Sequence, residues 1–238
     1  MLQKKILIIV PAYNEGHQIK KTVEEILSSG IAAKILVVND GSRDETARQA
    51  KTSGVHVVSL PFNTGIGGAV QTGFRFAFEN DFDIACQVDG DGQHNAAYLG
   101  ALIKPVLDDE SDMVIGSRFL PPFTGYRASL VRKIGINFFS QLISFLCGFR
   151  ITDPTSGFRA FNKKMIRIFA GDYPVDFPEP EAIMIARRYG ARVKEIPVEM
   201  RKRQSGHSSI RYLYTLYYMI KVTFAILLNL LKKRRSQI

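Results

Sequence analysis

Residues 87 to 94 read QVDGDGQH, and their two aspartates are the clearest chemical feature of the chain. In extended backbone, residues two apart point the same way, so Asp89 and Asp91 aim both carboxylates at one place just past the apolar run IACQV. Gly90 and Gly92 let the backbone turn and let a ligand approach closely. Two carboxylates brought together repel unless a cation lies between them, and hard oxygen donors suit Mg²⁺ or Mn²⁺. Gln93 stands in place to complete the shell, with His94 as the second choice. The alternative is an acidic surface turn, and what decides between them is the element that delivers the pair.

That element belongs to a repeat. Runs 5–10 (KILIIV), 34–39 (KILVVN), 55–60 (VHVVSL), 84–88 (IACQV) and 113–116 (MVIG) are nearly continuous in Val, Ile and Leu, as strands covered on both faces are. Helical periodicity fills 15–29, 44–53, 66–80 and 96–108 between them. The alternation predicts an α/β fold with a doubly wound, mainly parallel sheet, whose ligands bind beyond the carboxyl ends of the strands. DGDG closes the fourth strand and so falls on that rim, which favours the metal reading. Past residue 120 the pattern loosens: a helix at 129–147, a turn at Asp153–Gly157, a short strand FRAFN, a helix at 180–189, a strand at 192–200 and a long apolar helix from about 209 to 233.

The other strand ends are polar too. Asp40 closes the second strand, where its carboxylate can accept a hydrogen bond from a nucleobase N–H, while Ser42 or Asp44 can cap the helix that follows. NTGIGGAVQTG, residues 63 to 73, lacks the dinucleotide fingerprint, because position 70 is Val70 and the segment follows the third strand. Its glycines, Gly67 among them, still bring N–H groups near an anion at a helix start.

Taken in order, PAYNE, NDGS, NTGIGGA, DGDGQ, GSRF, DPTSGFR and PEPE resemble family 2 glycosyltransferases with the GT-A fold, and most nearly the dolichyl- and polyprenyl-phosphate sugar synthases. The resemblance spans roughly residues 5 to 210. It implies inverting transfer from a nucleotide sugar, most simply a UDP-sugar, with a divalent metal on the pyrophosphate. It places Pro11, Tyr13, Glu15, Asp40 and Gly67 in the nucleotide-sugar pocket. It makes Asp89, Asp91 and Gln93 the metal ligands, with Asp91 also counted as catalytic. It sets Arg118 and Arg132 near the phosphates, and puts Arg203 and Ser208, with Gly206, in a loop that closes over them. Such groups act by stabilising charge that grows on the leaving diphosphate.

The acceptor it implies is a polyprenyl phosphate such as undecaprenyl phosphate, for cell-envelope glycan synthesis; a sugar hydroxyl of a lipid-linked glycan is the alternative. A hydroxyl must lose a proton during attack and calls for a carboxylate base, Glu179 or Glu181 of PEPE, with Glu181 taken here as the catalytic one. A phosphate is already ionised and needs none. PEPE also reads simply as a helix N-terminus.

The net charge of +10 suits any polyanion. A nucleic-acid-binding protein would interleave its basic residues with stacking aromatics, whereas here the aromatics gather in YLYTLYYMIKVTFAILLNLL, residues 212–231; no nucleic-acid partner is expected, and a non-catalytic nucleotide-binding module is the remaining rival. That tail is long enough to span a bilayer, yet Lys221 lies at its middle, and the cluster from Lys232 to Arg235 belongs on the same, cytoplasmic side as the catalytic domain. A helix lying on the membrane surface satisfies both ends, as does one packed on the domain, on a small membrane protein or on a second copy. The expected division is 1–210 catalytic and 211–238 tail. Cys86 and Cys147 read as buried thiols of a reducing compartment, and the N-terminus reads as a first strand, not a signal peptide.

Overall fold

The computed structural model describes residues 4–122, 130–176, 178–201 and 221–228. Seven strands form one sheet: β1 (Ile6–Ala12), β2 (Lys34–Asn39), β3 (His56–Ser59), β4 (Ile84–Gln87), β5 (Met113–Ser117), β6 (Arg159–Asn162) and β7 (Val193–Pro197). Their spatial order is β3-β2-β1-β4-β6-β5-β7. The pairs β1–β2, β1–β4, β2–β3 and β5–β7 are parallel, as the alternation predicts, while β6 runs antiparallel to both β4 and β5. A four-residue strand carries no periodicity from which its direction can be read.

The helices are α1 (Ile19–Leu27), α2 (Thr46–Thr52), α3 (Gly65–Glu79), α4 (Leu99–Leu107), α5 (Leu130–Cys147), α6 (Lys163–Gly171), α7 (Pro178–Arg188) and α8 (221–228). α1, α2 and α4 bury Val23, Ala50 and Leu102 against one face of the sheet, among Ile8, Val37 and Cys86. On the other face α3, α5, α6, α7 and α8 gather around Ile9, Leu36 and Ala85, with Phe74, Phe139, Phe169, Ile183 and Ile226. Alternation along each strand divides the two cores cleanly, as the pleat requires.

α6 is absent from the sequence expectation. Met165, Ile166, Phe169 and Ala170 form its buried stripe, and Asn162 caps it by accepting the Met165 N–H at 3.0 Å. Of the long apolar helix expected at 209–233, residues 221–228 are described and helical; the rest lies outside the described residues. α8 packs on the domain: Val222 and Ile226 are fully buried, and the Lys221 ammonium lies 2.7 Å from Asp176. Among the described residues no helix is long and apolar enough to cross a membrane.

Candidate active site

Because β6 runs against its neighbours, the loop that enters it, residues 153–158, reaches the rim where β1, β2, β4 and β5 end. Asp89 sits at the centre of that rim. Its carboxylate Oδ1 accepts a hydrogen bond from Gln87 Nε2 at 3.1 Å, and its backbone N–H donates to His94 Nδ1 at 3.0 Å. His94 is buried, stacks on Phe158 with centroids 4.8 Å apart, and turns Nε2 to within 3.6 Å of Asp89 Oδ2. Both ring nitrogens therefore face Asp89, and His94 braces that residue through its backbone N–H. Gly157 closes the other side: a Cβ there would stand 2.9 Å from Gln87 Nε2 and 3.0 Å from Asp89 Oδ2, so a larger residue shifts the Gln87 amide and with it the carboxylate it holds.

Asp91 Oδ1 accepts the Gln93 backbone N–H at 3.0 Å. The Gln93 side-chain nitrogen donates to the Arg201 carbonyl at 3.4 Å, and the Arg201 N–H returns a bond to the Gln93 carbonyl at 2.9 Å. That exchange turns the amide nitrogen away and leaves Gln93 Oε1 as an oxygen donor. Among the described residues no group of three or more His, Cys, Asp or Glu side chains comes together to hold a metal. The donors here are two carboxylates and one amide, a set that fits a hard divalent cation sharing its other positions with ligand oxygens or water. Arg201, paired with Glu25 at 2.6 Å, anchors the chain beside this loop. Arg203 and Ser208, expected to close over the phosphates, lie outside the described residues.

The carbonyl of Pro11, next to last in β1, accepts the Gly90 N–H at 3.1 Å and ties that strand's end to the acidic loop. Tyr13 is exposed, whereas Glu15 is buried and its N–H donates to Thr46 Oγ1 at 2.8 Å. Asp40 is buried, and its carboxylate accepts from Thr64 N–H (2.7 Å), Thr64 Oγ1 (2.8 Å) and Gly65 N–H (3.0 Å). The start of α3 thus already has its anion, supplied by the protein itself. Gly67 packs under the backbone of the 174–175 turn: a Cβ would fall 2.2 Å from the Pro174 carbonyl oxygen. Close packing accounts for that glycine, where the sequence suggested an approach to phosphate.

Arg118 closes β5 and is buried. Its Nε lies 2.6 Å from Asp153 Oδ2, its Nη2 lies 2.7 Å from Oδ1, and its Nη2 also donates to Thr155 Oγ1 at 2.9 Å. The guanidinium expected beside the phosphates is therefore already neutralised by a fully buried carboxylate, itself held through its N–H by Glu195. Arg132 falls in the first turn of α5, and its side chain lies outside what is described.

At the start of α7 it is Glu179 that is electrostatically joined to the rim. Burial pushes its carboxyl up to about 7, with Asp89 acting in the same direction and Arg159 and Arg118 opposing. Successive helical residues turn by about 100°, so Glu181 points roughly to the opposite side from Glu179. Arg159 is wholly buried and gives its donors to three carbonyls: Ser156 (2.6 Å), Glu179 (2.8 Å) and Pro154 (3.0 Å). Gln87, Gly157, Asp153 and Arg159 were not singled out by sequence, although three of the four lie within or beside the DPTSGFR segment.

A mainly parallel sheet with one reversed strand, carrying paired carboxylates where β4 ends, defines an enzyme of the GT-A glycosyltransferase class. More narrowly, residues 7–169 match the family described as Glycosyl transferase family 2, and the chain belongs to that family. It is 31% identical to the UDP-N-acetylglucosamine–dolichyl-phosphate N-acetylglucosaminyltransferase of Methanococcus voltae, over 84% of this chain and 86% of that one. It is 30% identical to the undecaprenyl-phosphate mannosyltransferase of Micrococcus luteus, over 87% of each. Its fold matches the crystal structure of glucosyl-3-phosphoglycerate synthase from Mycobacterium tuberculosis in complex with Mn²⁺, UDP and phosphoglyceric acid. There the TM-score is 0.73, with 20% identity over 95% of this chain and 78% of that one.

Proposed function

We propose that this glycosyltransferase moves a sugar from a UDP-sugar to a polyprenyl phosphate at the cytoplasmic face of a membrane. The observation that carries the reading is the oxygen set Asp89, Asp91 and Gln93, braced from behind by Gln87 and His94 and joined to Arg201 at the mouth of the segment holding Arg203 and Ser208. A divalent cation, Mg²⁺ or Mn²⁺, held by those three residues supplies positive charge to the leaving diphosphate. The protein's own part is to orient it. Pro11, Tyr13, Glu15 and Asp40 form the wall that receives the nucleoside, and Asp40 has three of its acceptor positions engaged by Thr64 and Gly65. The family resemblance assigns Arg203 and Ser208 to the phosphates. A lipid phosphate arrives ionised, so transfer to it requires no proton acceptor.

Support for the acceptor comes from the two relatives whose names carry dolichyl and undecaprenyl phosphate, each aligned over most of its length. Support for the membrane surface comes from α8, where Phe224, Leu227 and Leu228 are exposed on the side opposite its buried residues, just ahead of the basic cluster 232–235.

One observation favours a second reading. A carboxyl pushed up to about 7 beside Asp89 is suited to taking a proton, so Glu179 could serve as base for a sugar hydroxyl. An acceptor competition separates the two. Purified protein with labelled UDP-sugars and Mn²⁺ is offered undecaprenyl phosphate or a lipid-linked glycan. Label on the bare lipid phosphate supports the first reading, and label only on the glycan sinks it.

A further inference from the structure

Among the described residues Arg159 is the largest side chain with no exposure, and its hydrogen bonds there go to three neutral carbonyls, none to a carboxylate. Burying a cation in this way is costly unless charge elsewhere compensates it. Burial draws its guanidinium below the usual arginine range, and Tyr173, Glu179, Asp153 and Glu195 oppose that effect in part. A residue kept there only to fill volume could be apolar, so the positions of its three acceptors are informative.

Two of those acceptors, the carbonyls of Pro154 and Ser156, belong to the loop whose next residue, Gly157, is the wall against the Asp89 carboxylate. The third is the carbonyl of Glu179, at the start of α7. Arg159 also stands directly opposite Gln87 in the β4–β6 ladder, on the face where Gln87 binds Asp89. One planar guanidinium thereby fixes both the backing of the Asp89 carboxylate and the backbone of Glu179 at the start of α7. An ammonium, a single nitrogen on a flexible stem, cannot span three carbonyls set that far apart.

We propose that Arg159 is a positioning residue that couples the donor side of the site, through the 154–157 loop and Asp89, to the acceptor side, through Glu179. The proposal deepens the functional reading above, rests on its assignment of Asp89 to the metal, and itself assigns Glu179 to the wall that faces the acceptor, whether lipid phosphate or glycan. It requires that perturbing Arg159 alter both sides together, while perturbing Gly157 alters the donor side alone.

The test compares the full chain with Arg159→Lys and Gly157→Ala. Mn²⁺ affinity is read by electron paramagnetic resonance without substrate, and kcat and acceptor KM by transfer to undecaprenyl phosphate. Residues that orient metal ligands from behind typically matter by 10–100-fold. Arg159→Lys is expected to weaken Mn²⁺ by about 10-fold or more and to raise acceptor KM several-fold. Gly157→Ala is expected to weaken Mn²⁺ comparably with acceptor KM within about two-fold of the parent. A folded Arg159→Lys that leaves either parameter unchanged overturns the coupling. If that variant does not fold, unchanged Mn²⁺ affinity in Gly157→Ala overturns it instead. Failure of the unaltered chain to bind Mn²⁺ is a separate result: it removes the metal assignment, and the coupling goes with it.

Discussion

Arg118 and Asp153 form a bidentate ion pair that is almost wholly buried, with contacts of 2.6 and 2.7 Å, and the Arg118 backbone N–H donates to the same carboxylate at 3.1 Å. The pair joins the end of β5 to the loop entering β6, across the middle of the rim. Geometry of this kind supports a buried pair, and removing one partner leaves the other charge stranded.

Asp153→Ala is therefore expected to destabilise the fold by about 3–5 kcal/mol, because it strands Arg118 and also frees Thr155. Urea unfolding followed by circular dichroism measures this. A loss under about 1 kcal/mol would mean that the pair is not the rim's main fastening.

Asp40→Ala should cost about 1–2 kcal/mol through loss of the contacts that begin α3. Asp40→Asn keeps one acceptor oxygen and should recover part of that stability. If Asp40 also receives the nucleobase, donor KM rises in Asp40→Asn out of proportion to the stability change; equal donor KM in a folded Asp40→Asn would restrict Asp40 to its capping role.

Glu179 gives a pH dependence whose sign is fixed by its shift. Its folded pKa is raised from 4.5 to about 7, so between these values the folded chain holds a proton that the unfolded chain has released. Stability contributed by this group therefore falls as pH rises from about 4.5 to 7, and the cost of the buried charge is fully present above 7. In the metal-free chain Glu179→Gln should accordingly be more stable than the parent at pH 8 and similar to it at pH 5. Urea midpoints at the two pH values check this, and a gain confined to pH 5 would contradict the shift.

The two faces of α8 should separate in their effects. Ile226 is fully buried and Phe224 is 62% exposed, so Ile226→Asp should unfold the tail from the domain or destabilise the whole chain. Phe224→Asp should leave unfolding unchanged and reduce sedimentation with anionic vesicles. Equal vesicle binding by Phe224→Asp would rule out this face as the lipid contact.

Much of this was legible in sequence, for physical reasons that differ by element. β1 and β2 carry nearly unbroken Ile, Leu and Val runs because they are covered on both faces, and β1 shows it most plainly, with all seven residues buried, whereas β3 at the sheet edge is only partly covered. The acidic loop is legible because its aspartates directly follow an apolar strand; the pleat itself does not reach them, since β4 ends at Gln87 and Asp91 lies in a turn. The reversal of β6 is not, since four residues support either direction. α6 carries only one buried stripe across nine residues and is hard to distinguish from loop. A charged residue in a strand suggests exposure, which hides the buried role of Arg159. The structural contacts of Asp40 and Gly67 are not legible, because only the tertiary fold brings Thr64, Gly65 and the 174–175 turn against them.

The most direct test of the central claim is transfer of labelled sugar from UDP-sugar to undecaprenyl phosphate, with Mn²⁺ present, by the unaltered chain and by Asp91→Ala. Labelled lipid from the parent and a loss of at least about 100-fold in the variant are expected, since the proposal makes Asp91 one of the two carboxylates serving the leaving diphosphate. Undiminished transfer by a folded Asp91→Ala would contradict the account.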